Sequence, residues 1–366
     1  MKFWKKDLRS LNPEKIVIRM PNWLGDLVMA TPVIADVRRH WPTASITAMC
    51  QSNVAPLLLH DPNINELFSY KRPNGWIPHL HHGDAIAELR LGQYDLGLLL
   101  TNSFSSAWWF WQGKVKNRIG FAGNMRNFLL TKAIPFPKTR ATQHLVITYK
   151  NLLQPLGIPL SDTPPKLYIS QEESQAAREL LLRFGVDLGK NTIVGINPGA
   201  AFGTAKCWLP DRFTKVTQLL LQDPNLFIIY FGDPTGAPLV NEICKEMPER
   251  VINLAGKTTL RELLALIEKC SVFLTNDSGP MHIAAALKVP LLALFGSTSD
   301  VQTGPYGSGE VIHKHVKCSP CYQRVCPIDF RCMKSIEVDE VYNKLKAMIK
   351  NKGPLAHLPH GTCSGG

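Results

Sequence analysis

Short β-type runs return along the whole sequence, each closed by a glycine-bearing or polar turn, and this alternation narrows the choice of fold more than any other feature. Residues 15 to 122 contain KIVIRM, SITAMC, YDLGLLL and NRIGFAG; the second half contains NTIVGINPGA, LFIIYFGD, RVINLAG, VFLTNDSG and VPLLALFG. Between KIVIRM and SITAMC, Leu27, Ala30, Ile34 and Val37 recur at helical spacing, and Pro42 marks the end of that helix. A polar helix is expected before YDLGLLL, which is the fourth strand or so of its group. Strands interleaved with helices in this way imply a parallel sheet covered by helices. The pattern pauses at residues 155–170, PLGIPLSDTPPKLYIS, whose proline and small polar residues read as an interdomain connection. It resumes after the amphipathic stretch QEESQAARELLLRFG. With 366 residues, 45% of them apolar, the chain has enough side chain for two packed α/β domains. Their expected extents are 1–165 and 166–350. SIEVDEVYNKLKAMIK is expected to close the second domain as a helix, with 351–366 as a tail.

Charge restricts the partner without choosing it. A net charge of +12 suits an anionic ligand, a nucleic acid or an anionic membrane surface, and equally an ordinary basic soluble surface. The opening MKFWKKDLRSLNPEK lacks the apolar core and cleavage site of a secretory signal, so the expectation is cytoplasmic. No apolar run reaches the roughly 18 residues of a membrane span. Cys50, Cys207, Cys244, Cys270 and Cys363 are scattered, as suits a reducing compartment.

In parallel α/β sheets, ligands bind outside the carboxyl ends of the strands, so the post-strand loops are the places to look for chemistry. NPGAAFGTAKCWLP offers small residues, Thr204 and Lys206, a set suited to a diphosphate, although the Walker order is missing. In FGDPTG, Asp233 can accept a hydrogen bond from a sugar or ribose hydroxyl. LAGKTTLREL carries Thr258 and Thr259 with Glu262 beyond them, which equally reads as a helix capping box. NDSGPMHIAAAL is the most informative: Ser278 and Gly279 open a helix as an anion site, Asp277 ends the strand, and His282 lies one turn in. His282 is either a core histidine or a ligand contact. In PNWLGDL, Asp26 is either a helix N-cap or a general base acting on a hydroxyl. No D-x-D pair, G-x-S-x-G elbow, H-E-x-x-H or G-x-G-x-x-G turn is present. Leaving-group charge would therefore fall to Lys206 and helix N-termini. Cys318, Cys321, Cys326 and Cys332 are spaced C-x2-C-x4-C-x5-C, compatible with packed reduced thiols, a metal site or redox chemistry. A nucleic-acid-binding protein would account for the charge but not for the clustered post-strand loops.

IRMPNWLGDLVMATPVIADVRRHWP, NPGAAFGTAKCWLP, NDSGPMHIAAALKVPLLALFGSTS and PCYQRVCPIDFRCM together resemble the ADP-heptose:lipopolysaccharide heptosyltransferases, glycosyltransferase family 9, in the family's order from Lys15 to Met333. The resemblance implies a GT-B fold, two facing Rossmann-like domains with parallel sheets and a central cleft, the N-terminal one for the acceptor and the C-terminal one for the ADP-sugar. It makes Asp26 the base and Lys206 the diphosphate-binding lysine. Asp277, Ser278, Gly279 and His282 become the donor-holding motif, with Asp233 and Thr258 as further contacts to ribose, adenine or heptose; Thr204 is added to the expected donor contacts from its place in the Lys206 loop. The family's paired threonines fall on Ala201 and Phe202, so those contacts do not carry over. Arg118, Arg126 and Arg140, with Lys132, are the expected contacts for acidic acceptor groups, or else simply a solvated face. The implied donor is ADP-L-glycero-D-manno-heptose and the implied acceptor heptosyl-Kdo-lipid A, met by peripheral contact with the inner membrane. No metal is required and no nucleic acid is bound. The cysteine-rich motif favours the branch that extends the first inner-core heptose. Transfer to Kdo-lipid A itself and nucleotide-sugar epimerisation stay open as alternatives.

Overall fold

A computed structural model describes residues 8–71 and 82–352. The tail expected at 351–366, with Cys363, falls almost entirely outside the described residues. The chain forms two compact units: Met1–Ser170 with Ser278–Lys288 and Ser299–Ser308, and Gln171–Asp277 with Val289–Thr298 and Gly309–Gly366.

The first unit is built on β1 (Lys15–Arg19), β2 (Ser45–Gln51), β3 (Glu66–Tyr70), β4 (Leu96–Leu99), β5 (Asn117–Phe121) and β6 (Lys132–Ile134). Every pairing is parallel, in the order β3-β2-β1-β4-β5-β6. The second unit repeats the design with β7 (Thr192–Asn197), β8 (Leu226–Tyr230), β9 (Val251–Asn253), β10 (Val272–Asn276), β11 (Leu291–Phe295) and β12 (Glu310–His313). Its order is β12-β11-β10-β7-β8-β9, again all parallel. Numbered within its own unit, each sheet runs 3-2-1-4-5-6, the doubly wound Rossmann order. The chain reverses its direction of winding between β1 and β4 in one sheet and between β7 and β10 in the other. Loops leaving those neighbouring strands part to opposite faces, which opens a crevice at their carboxyl ends.

All the strands expected from the sequence form. Those it did not single out, β3, β6 and β12, are edge strands with at most one buried side chain each, Tyr70 in β3 and Ile312 in β12. Central strands covered on both faces read as unbroken apolar runs, whereas an edge strand does not need to. The proline-rich stretch before Ser170 is strapped to the first unit. The buried Asp36 carboxylate accepts from the Ser161 hydroxyl at 2.7 Å and the Thr163 hydroxyl at 2.8 Å, and the Lys150 ammonium donates to both backbone carbonyls.

Candidate functional site

In the first unit the chain leaves β1 through Met20-Pro21-Asn22-Trp23 and enters the helix Leu24–His40. Trp23 occupies the cap position without a side-chain bond, and Asp26 lies two residues further into the helix than its first residue. The capping role weighed for Asp26 is thus not the one it has. Its carboxylate accepts a hydrogen bond from the Tyr149 hydroxyl at 3.4 Å. Burial, and then the charge of Asp26, push the Tyr149 phenol well above its ordinary value, so it stays a donor. Around the pair lies a cavity of about 300 Å³, lined by Asn22 and Trp23 after β1, Thr101 to Ser103 after β4, and Phe136, Arg140 and Thr148. This is the carboxyl edge of β1 and β4, where the fold opens its crevice.

The turn carrying Asp26 is packed from the side. A Cβ added to Gly25 would lie 2.6 Å from the His282 ring, and His282 is only 5% exposed. His282 belongs to the helix Gly279–Ala286, which is part of this first unit, with Ser278 as N-cap and Gly279 as first residue. The histidine therefore braces the Asp26 turn. Gly25→Ala is expected to destabilise the protein by about 1–2 kcal/mol in urea unfolding. Overpacking costs about 1–3 kcal/mol, against a helix-propensity gain of at most about 1 kcal/mol. An unchanged or raised midpoint would show that the ring moves aside freely.

The expected arginine contacts separate sharply. Arg140 is exposed, lines the cavity, and sits 4.1 Å over the Phe136 ring. Arg126 is corrected: it is fully buried, and its guanidinium donates to the Phe121 and Thr101 carbonyls and to Asn102. Burial pushes it down to about 10. It clamps the loops after β4 and β5 and offers an acceptor nothing. Arg118 is corrected too, because it lies at the amino end of β5 and donates to the Leu129 and Val115 carbonyls. Lys132 starts β6 at that same far edge. Sequence reading passed over Tyr149 and Arg19; the latter, buried at the end of β1, donates to Tyr70 and to Asn22 and so fixes a cavity residue.

In the second unit β7 ends at Asn197 and leads to the 3-10 turn Thr204–Lys206. Lys206 Nζ lies 2.5 Å from Asp277 Oδ2, and the Thr298 hydroxyl donates to that oxygen at 2.5 Å. Lys206 and Asp277 side chains are only 13% and 5% exposed. One N–H of the ammonium serves Asp277, which leaves donor capacity for an oxyanion. Phe202, where the resembled family has a threonine, places its ring 4.9 Å from Lys206 Nζ and 5.4 Å from the Arg324 guanidinium. Gly203 needs to be glycine: its φ is +152°, and a Cβ would meet the Arg324 carbonyl oxygen at 2.3 Å. Asn276, unremarked in the sequence, is fully buried. It accepts from the Trp208 N–H at 3.0 Å and donates to the Pro198 carbonyl at 2.6 Å, tying both ends of the Lys206 loop to β10.

The remaining candidates stand apart in role. Asp233 follows β8 and is exposed, accepting from the Thr235 hydroxyl and the Gly236 N–H of its own turn. Thr258 directly precedes Thr259, which forms the expected capping box with Glu262. Cys318, Cys321, Cys326 and Cys332 line one pocket of about 180 Å³, all as free thiols. Burial, then the neighbouring thiols, push the Cys332 thiol up, and Cys326 Sγ accepts from the Phe330 N–H at 3.3 Å.

Two Rossmann-like domains, one holding a carboxylate at its switch point and the other a lysine paired with aspartate, make this a two-domain α/β protein of the GT-B type. The structure of E. coli ADP-heptose LPS heptosyltransferase II superimposes with a TM-score of 0.77 at 27% identity, covering 92% of this chain and 99% of that one. The sequence profile of glycosyltransferase family 9 (heptosyltransferase) matches residues 84–330. Lipooligosaccharide heptosyltransferase 2 of Campylobacter jejuni is 31% identical, across 92% of this chain and 99% of the relative. Its namesake in Haemophilus influenzae is 33% identical, across 79% and 85%. The chain belongs to glycosyltransferase family 9.

Proposed function

We propose that the protein is a heptosyltransferase II, moving L-glycero-D-manno-heptose from ADP-L-glycero-D-manno-heptose to the first heptose of the lipopolysaccharide inner core. The observation that carries this reading is Asp26 beside Tyr149 in a cavity at the first switch point, on a chain similar over nearly its full length to proteins named heptosyltransferase 2. Asp26 takes the proton of an acceptor heptose hydroxyl. That oxygen attacks the anomeric carbon from the face opposite ADP, the carbon–oxygen bond to ADP breaks, and the configuration inverts. The departing diphosphate gains charge, which Lys206 stabilises. Asp277 and Thr298 hold the lysine for that task. Thr204, Ser278 and Gly279 add donors for the ADP-sugar, Asp233 and Thr258 serve its hydroxyls or base, and His282 acts through the Asp26 turn. Arg140 meets an acidic group of the acceptor. The chemistry needs no cofactor, and the four clustered cysteines remain reduced thiols. The reaction takes place at the cytoplasmic face of the inner membrane. Among the described residues no helix is long and apolar enough to cross a membrane, so any such contact by them is peripheral.

The test is ADP release from ADP-heptose with different acceptors. Release is expected with heptosyl-Kdo-lipid A, and no more than background with Kdo-lipid A or with donor alone. Turnover on Kdo-lipid A would move the assignment to heptosyltransferase I, and donor consumption without acceptor would point to an epimerase.

A further inference from the structure

The helix Phe104–Gln112 is apolar on both faces. Ala107, Trp109 and Phe110 face the core of the first unit and are at most 1% exposed. A helix with water on its other side ordinarily shows polar residues there. This one shows Phe104, Trp108 and Trp111, at positions i, i+4 and i+7, in a continuous row of rings: Phe104 and Trp108 are half-buried against the edge of that core, and Trp111 is exposed. Phe104 and Trp108 centroids are 6.3 Å apart, Trp108 and Trp111 5.0 Å, and Phe128 joins Phe104 at 6.2 Å. The row opens to solvent at its ends, with Trp111 45% and Phe128 74% exposed, beside Met125 at 85%.

Two further facts say what covers it. Residues 96–161 contain eight lysines and arginines and not a single aspartate or glutamate, and all but the buried Arg126 and Lys150 of these cations reach the surface at least in part. At the Trp111 end of the helix lie two exposed cationic residues: Lys114, whose backbone N–H bonds to the Trp111 carbonyl, and Arg90, whose guanidinium donates to the Gln112 carbonyl. The row also begins where the Asp26 cavity ends. Ser103, which lines that cavity, is the N-cap of this helix, and the Asn124 side chain donates to the Asn102 carbonyl at 2.7 Å, pinning the Met125–Phe128 loop to the cavity rim. Tryptophan and phenylalanine with a basic surround suit the headgroup level of an anionic bilayer, where rings enter the interface and cations meet lipid phosphate.

We propose that this aromatic face is the surface by which the first unit docks on an anionic lipid bilayer, setting the mouth of the Asp26 cavity at headgroup level. The purpose rests on the proposed reaction with a lipid-borne acceptor; the docking itself does not. The test is co-sedimentation of the full chain with vesicles of phosphatidylethanolamine and phosphatidylglycerol, without sugar substrates. Wild type is expected to bind, less so at high salt and less so to phosphatidylcholine alone. W111S/F128S is expected to bind about tenfold or more weakly, while the conservative W111F/F128L pair stays near wild type and all variants share one thermal melting curve. Equal sedimentation of W111S/F128S, or no binding by wild type, overturns the proposal. So does light scattering showing that wild type dimerises and W111S/F128S does not, because the face would then cover a second copy of the chain. A failed ADP-release assay leaves the vesicle result standing, so the two readings fail separately.

Discussion

Asp26→Asn is expected to lower acceptor-dependent ADP release by about 100- to 10,000-fold, the range that a positioned general base contributes, while ADP-heptose binding by calorimetry stays within about twofold. The substitution keeps the size of the side chain and its place beside Tyr149, so a folding defect is not expected to obscure the result. Retained turnover would remove Asp26 from the mechanism. Tyr149 gives the same site a signature in pH. Its phenol is raised by burial and by the carboxylate beside it, and the interaction is reciprocal, so the protonated hydroxyl favours the ionised form of Asp26. Activity that needs ionised Asp26 is lost as pH falls. Without the hydroxyl, in Tyr149→Phe, that loss should begin at higher pH. His282 behind Gly25 and Arg140 on the cavity wall also lie nearby, and neither is removed by the change.

Lys206→Met is expected to act twice. On the proposed reaction, losing the cation assigned to the departing diphosphate should reduce turnover by about 100- to 1,000-fold, as for removal of one charge-stabilising donor. It also leaves Asp277, 5% exposed, with the neutral Thr298 hydroxyl but without its cation, and breaking a buried pair from one side costs about 3 kcal/mol. The two effects separate in K206M/D277N, which should recover most of the stability in denaturant unfolding and none of the turnover. Recovery of neither, or of both, would mean that the pair does not divide its labour in this way.

The fold was largely legible because central strands of a parallel sheet are buried on both faces and must be written as apolar runs. Ile16, Val17 and Ile18 of β1 are wholly buried, whereas ELFSY at the edge buries only Tyr70, breaks its apolar run with Glu66 and Ser69, and escaped notice. The candidate site was legible where the signal is local. Asp26 and Lys206 each follow a strand by a few residues, shortly after Gly25 and Gly203. It was illegible where the signal is a distance: Tyr149 meets Asp26 across 123 residues, and nothing in HLVITYK announces it. The arginines fail for a related reason. Arg126 and Arg140 look alike in sequence, and only the carbonyls gathered around Arg126 turn one into an internal clamp while the other faces the cavity. Asn276 had a local sign, an amide closing the apolar run VFLT, but its partners Pro198 and Trp208 lie on a distant loop.

The first compact unit reclaims Ser278–Lys288 and Ser299–Ser308 from the later part of the chain. From these segments come the ring behind Gly25 and the Gly304 carbonyl that His144 bonds at 2.8 Å. A recombinant cut at Ser170 would therefore not release a self-sufficient half. A chimera that grafts a relative's C-terminal half at that point would import foreign side chains into the packing behind the recipient's own Asp26. Exchanging the second unit between relatives calls for junctions at 277/278, 288/289, 298/299 and 308/309 as well, so that each unit keeps its borrowed pieces.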